Sequence, residues 1–145
     1  MAKKYKQTVI PEASTAGWIT LTASGVREKL SNEYRTRYNG KKVVNQSLGI
    51  TVEFESTGAR KTAHGSAVYS KKACLVSVLD QLIRYAEYSN WGDRKPSDIA
   101  RVIGYLNFKA KVKIDGKMEH THLVVRVCND GRFHYAMEVN KIISR

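Results

Sequence analysis

The chain has 145 residues, 42% hydrophobic and 26% charged, which is enough to bury a core and excludes wholesale disorder. Its 25 Lys and Arg against 13 Asp and Glu give a formal net charge of +12. This points to a polyanionic partner and argues against an acidic mimic of DNA. The basic N-terminus lacks a continuous apolar stretch, and no run of about 18 apolar residues occurs. The reading is therefore a cytoplasmic protein with no membrane partner, with Cys74 and Cys128 as reduced thiols in a predicted helix and strand.

Residues 1–16 read as a loosely held basic arm, with a short strand near Thr8 to Ile10, and residues 17–145 as a single domain. Trp18 to Thr22 alternates β-favouring residues and predicts a strand. Ser24 can cap a short helix from about Gly25 to Tyr34, with Val26 and Leu30 on its inner side. Tyr34 to Gly40 interleaves Arg35 and Arg37 with tyrosines, a pattern that suits phosphates and stacked bases, although a hairpin at Asn39-Gly40 accounts for it equally well. Val43 to Phe54 predicts one or two strands, with Gly49 at a bulge or close approach. The loop Gly58 to Gly65 carries Arg60, Lys61 and His64, which can hold a phosphate beside an imidazole. The main helix is expected from Lys71 to Tyr88 with Ser70 as N-cap, because Cys74, Leu75, Val78, Leu79, Leu82, Ile83 and Ala86 form one apolar stripe. Asn90 to Pro96 reads as a polar loop around Trp91.

Tyr105 to Val139 predicts a three-stranded meander. Asp115-Gly116 is a two-residue hairpin turn, so Phe108 falls opposite Leu123, Lys109 opposite His122 and Lys111 opposite His120. Asn129-Asp130-Gly131 can be a two- or three-residue turn. Only the three-residue loop, with Gly131 as the left-handed bulge residue, keeps apolar residues on one face, opposing Val127 to Phe133, Val125 to Tyr135 and Leu123 to Met137. The other face then carries Lys109, Lys111, Lys113, His120, His122, Arg126, His134 and Glu138, with Arg126 opposite His134 and His122 opposite Glu138.

His120, His122, His134 and Glu138 have the residue types of a divalent-metal set, but lysines opposite the first two disfavour a cation. The same lysines favour an anion. A scissile phosphate over His120, His122, Arg126 and His134 would find a general base, a general acid and a cation for its pentacoordinate transition state, with no cofactor. The RNA 2′-hydroxyl would be the nucleophile and a 2′,3′-cyclic phosphate the product. A merely wet sheet face is the bland alternative.

The order of Gly58, Lys61 and His64, the apolar helix from Leu75 to Ala86, Phe108 to Ile114, Asp115-Gly116, the strand Leu123 to Arg126, Asp130-Gly131 and Phe133 to Tyr135 resembles small domains in large polyvalent proteins of phages and conjugative elements. Those domains are similar to the barnase, EndoU, colicin-type and RelE-like nuclease group. The resemblance covers residues 48–139. It implies helices on an antiparallel sheet, often metal-independent RNA cleavage, and roles for His64, Arg126 and His134.

The expected fold is α+β, with one main amphipathic helix packed on a twisted antiparallel sheet. The expected function is that of an RNA-acting protein of a phage or mobile element, a metal-independent endoribonuclease preferring RNA to DNA. Its catalytic set is His64, His120, His122, Arg126 and His134, and its nucleic-acid contacts are Arg35, Arg37, Arg60, Lys61, Lys109, Lys111 and Lys113. The alternative is a non-catalytic inhibitor of a host defence system that binds nucleic acid or a defence effector protein.

Overall fold

In chain order the computed structural model contains β1 (Glu12–Ala13), α1 (Ala23–Tyr38), β2 (Lys42–Asn45), β3 (Ile50–Glu53), α2 (Ser70–Ala73), a 3-10 segment (Cys74–Val78) and α3 (Leu79–Tyr85). It continues with β4 (Glu87–Asp93), β5 (Val102–Ile114), β6 (Lys117–Cys128), β7 (Phe133–Tyr135) and β8 (Ile142–Ser144). The structure describes residues 5–55 and 70–135, and the backbone of 142–144. The fold is α+β, with the helices covering one face of a curled mixed sheet.

The sheet is built around the β5–β6 hairpin. Asp115 and Gly116 both have positive φ, 52° and 78°, the backbone of a tight turn whose twist matches the flanking strands. The predicted register follows, with Phe108 opposite Leu123, Lys109 opposite His122 and Lys111 opposite His120. Gly131 has φ 84°, and the three-residue loop opposes Val125 to Tyr135, Arg126 to His134 and Val127 to Phe133. Met137, Val139 and Glu138, expected on the third strand, lie outside the described residues.

Strand order is β1-β5-β6-β7-β3-β2, with β4 also pairing β5 and β8 also pairing β6. Residues 5–15 run along the edge of β5. The Gln7 side chain accepts from Lys111 N at 2.7 Å and donates to Lys111 O at 2.8 Å, taking the place of a strand partner. Pro11 O and Ala13 O then accept from Lys113 N and Asp115 N. The strand expected at Thr8 to Ile10 instead forms at Glu12–Ala13, pairing parallel to β5.

Trp18 to Thr22 is a series of turns, not a strand, because Trp18 N and Ile19 N both bond Thr15 O and bury the indole. The cap of α1 is Thr22, whose hydroxyl accepts from Gly25 N at 3.1 Å. The helix runs past Tyr34 to Tyr38 because Val26, Leu30, Tyr34 and Tyr38, each four apart, form its buried stripe. Tyr34 and Tyr38 join Phe54 and Tyr135 in an aromatic cluster with ring centroids 4.8–6.5 Å apart.

The expected long helix is interrupted. Tyr38 Oη donates to Val76 O and accepts from Leu79 N at 3.1 Å, taking up backbone groups between α2 and α3 where the ladder tightens to 3-10. The apolar stripe is buried regardless, from Cys74 through Ala86. The chain then leaves helix early, and Glu87–Asp93 pairs with β5 where a polar loop was expected. Tyr88 packs edge-on to Phe108, 5.8 Å between centroids. Trp91 lies over Gly104, where any Cβ would fall 1.9 Å from the indole. Both cysteines are free and buried.

Candidate nucleic-acid interface and proton-transfer site

Alternation along β5 and β6 sends Phe108, Ala110, Val112, Leu123 and Val125 into the core and the intervening residues to the outer face. Outward on β5 are Ile103, Tyr105, Asn107, Lys109, Lys111 and Lys113. Outward on β6 are Met118, His120, His122, Val124, Arg126 and Cys128. No carboxylate stands among these twelve positions. Glu119, the acidic residue of β6, points inward, is fully buried and meets Lys71 Nζ at 3.1 Å.

The cations form two groups. Lys109 and Lys111 are exposed, and their cross-strand partners His122 and His120 are half-buried. Four residues separate His122 from Arg126 along β6, about 13 Å at the usual strand rise. One phosphate therefore cannot touch all four residues of the expected set.

The second group is a row across three strands: Tyr105 opposite Arg126, and Arg126 opposite His134. Parallel pairing of β3 with β7 puts Glu53 next to His134. The chain beyond β3 brings Glu55 Oε1 to 3.0 Å from His134 Nδ1, ion-pair distance without hydrogen-bond geometry, and His134 keeps only 3% of its surface. Arg132 meets Glu53 at 3.6 Å. Arg126 faces Tyr105 across the strand pair, and its Nε is buried with no hydrogen-bond partner among the described residues.

Tyr105 Oη donates to Asp98 Oδ1 at 2.6 Å. Burial, and next the Asp98 hydrogen bond, push the phenol up to about 12, so it stays protonated at neutral pH. The same hydroxyl, helped by Lys95 N, holds the Asp98 carboxyl below the usual aspartate range. Arg94 ties the loop down, donating to Val102 O and Asp98 O, each at 2.9 Å.

The remaining expected residues divide. Arg35 and Arg37 are exposed on α1, with Arg37 paired to Glu33 at 2.7 Å, but Tyr34 and Tyr38 are core side chains and leave no ring there for a base. Lys113 is half-buried, with Glu12 as its partner in the β1 pairing. Arg60, Lys61 and His64 lie outside the described residues. Glu138 does too, and among the described residues no three His, Cys, Asp or Glu side chains are grouped to hold a metal ion. No described helix is long and apolar enough to cross a membrane.

Sequence reasoning passed over Tyr105, Asp98 and Glu55. Tyr105 was within reach, since the register that opposes Lys109 to His122 also opposes Tyr105 to Arg126. Glu55 gave no signal, because its approach depends on β3 lying parallel beside β7.

No curated protein and no solved structure matches the chain. The family model for large polyvalent protein-associated domain 3 matches residues 2–135.

Proposed function

The chain belongs to the large polyvalent protein-associated domain 3 family, and from its outer sheet face we propose that it is a metal-independent endoribonuclease of a phage or mobile element. The observation that carries this reading is the row Tyr105–Arg126–His134, with Glu55 on the histidine. A guanidinium stands between two proton-transferring groups. The outer two are two strand spacings apart, about 9–10 Å. A phosphate over Arg126 would thus have one such group on each side, as in-line displacement requires.

In the proposed reaction Glu55, at ion-pair distance from Nδ1, balances the charge that His134 gains when its other ring nitrogen takes the proton of the 2′-hydroxyl, whose oxygen attacks the adjacent phosphorus. Arg126 stabilises the charge on the pentacoordinate phosphorus. Tyr105, which keeps its proton at neutral pH, releases its hydrogen bond to Asp98 and donates that proton to the departing 5′-oxygen, with the Arg126 guanidinium across the strand pair to offset the phenolate formed. The products are a 2′,3′-cyclic phosphate and a 5′-hydroxyl. His120 and His122 have no part in this step, and His64 none that the described residues support.

End-labelled RNA incubated with the full chain in EDTA tests the reading. Cleavage to cyclic-phosphate ends is expected, lost by about 100-fold or more in Arg126→Ala and His134→Ala and retained in His120→Ala. RNA that stays intact at every protein concentration rejects it. One observation favours the second reading, a non-catalytic inhibitor that binds nucleic acid or a host defence effector: His134 is almost fully covered, whereas Lys109 and Lys111 are open. In that case RNA is bound but never cut, or a defence effector is captured as a stable partner.

A further inference from the structure

We propose that Lys109 and Lys111, with His122 and His120 opposite them, form a second phosphate subsite, so that the substrate is a single RNA strand lying along β6. This rests on the ribonuclease reading and adds the substrate's form and minimum reach. The two lysines are exposed and adjacent on one face, and the two half-buried imidazoles stand directly across the hairpin from them. Among the described residues the nearest carboxylate in that row, Glu87 on β4, lies on the far side of Lys109 and has Oε2 occupied by Gln7 N at 2.9 Å. The strip therefore presents positive charge toward β6.

Between the strip and Arg126 lie Asn107 and Val124. Asn107 donates to Asn90 O and Val124 is 8% exposed, so the intervening face is neutral. The charge falls in two clumps about 13 Å apart, which roughly two nucleotides of an extended strand can span. In-line attack by a 2′-hydroxyl also requires a nucleotide free to leave helical geometry, which a duplex holds fixed. A dinucleotide would fill the Arg126 row alone. A longer strand would fill both.

The test compares the full chain with Lys109→Ser/Lys111→Ser, both at exposed positions. For an octanucleotide, KM should rise about tenfold in the variant, and the salt dependence of its binding should fall by roughly 0.7 for each phosphate no longer neutralised. For a dinucleotide, kcat/KM should be unchanged. Equal KM and equal salt slope for the octanucleotide in the two proteins overturn the subsite, with the ribonuclease reading intact. If neither protein cleaves either oligonucleotide, that reading fails instead, and the binding slope alone decides: a reduced slope in the variant supports the strip as a phosphate site, and an unchanged one rejects it.

Discussion

Glu119 on β6 and His134 on β7 are buried on opposite faces of adjacent strands, Glu119 against Lys71 and His134 against Glu55. On the inner face the carboxylate is enclosed, 0% exposed, and Lys71 reaches in from a side chain that is 47% exposed. On the outer face the potential cation is enclosed, 4% exposed, and Glu55 keeps 30%. The inner pair joins a carboxylate fully enclosed by the core to a lysine at the surface, which neutralises a buried charge. The outer pair stands beside Arg126, with Tyr105 one strand further on. Under the proposed function, two similar contacts divide into a structural one and a chemical one by what surrounds them.

The largest effect expected from breaking this symmetry is on rate. Glu55→Gln keeps the shape of the outer pair but removes the charge that would balance an imidazolium. RNA cleavage should fall by about 100-fold or more, while the denaturant midpoint stays near wild type because Glu55 is partly solvated. A large drop in stability with unchanged activity would reverse the two roles. Lys71→Met is the converse experiment. It removes the cation that meets the buried Glu119 carboxylate and should cost about 2–4 kcal/mol, with RNA binding per folded molecule unchanged. Adding Glu119→Gln should recover much of that loss, and a double variant no better than the single one would show that charge is not what Lys71 supplies.

Tyr38→Phe should come next, at about 1–3 kcal/mol, because it removes the hydroxyl bridging Val76 O and Leu79 N and leaves two buried backbone groups unsatisfied. A midpoint within error of wild type would mean that the interrupted helix closes its own ladder once the hydroxyl is gone. This residue also explains what the sequence concealed. Periodicity marks the stripe from Cys74 to Ala86 as buried, and it is. It cannot mark the interruption, which is made by a side chain 38 residues upstream of Val76. Tyr34 and Tyr38 misled for the same reason, since aromatics four apart between arginines fit a stacking platform until Phe54 and Tyr135 claim them. The β5–β6–β7 register was legible because two glycines and the alternation of side chains fix it locally. The candidate site was half legible: Arg126 opposite His134 follows from that register, whereas Glu55 and Asp98 arrive through long-range pairing and a loop.

The smallest effect expected concerns the arm that closes the β5 edge. Asp115 sits in the hairpin turn and accepts from Thr15 Oγ1 at 2.5 Å and Thr15 N at 3.0 Å. The Thr15 hydroxyl, then its N–H, hold the Asp115 carboxyl below the usual aspartate range. A group depressed in the folded state contributes stability that is present above its unfolded pKa, about 3.9, and lost as pH falls through the lower folded value. Acid should therefore loosen the arm before the sheet. The amides of Lys113 and Asp115, which donate to Pro11 O and Ala13 O, should lose hydrogen-exchange protection below about pH 4 relative to the amide of Lys109, in the β4-paired part of the same strand. Asp115→Asn should show the loosened pattern at neutral pH and no further change in acid. If the two parts of β5 lose protection together in both proteins, arm and sheet open as one unit and the turn carboxylate is no latch.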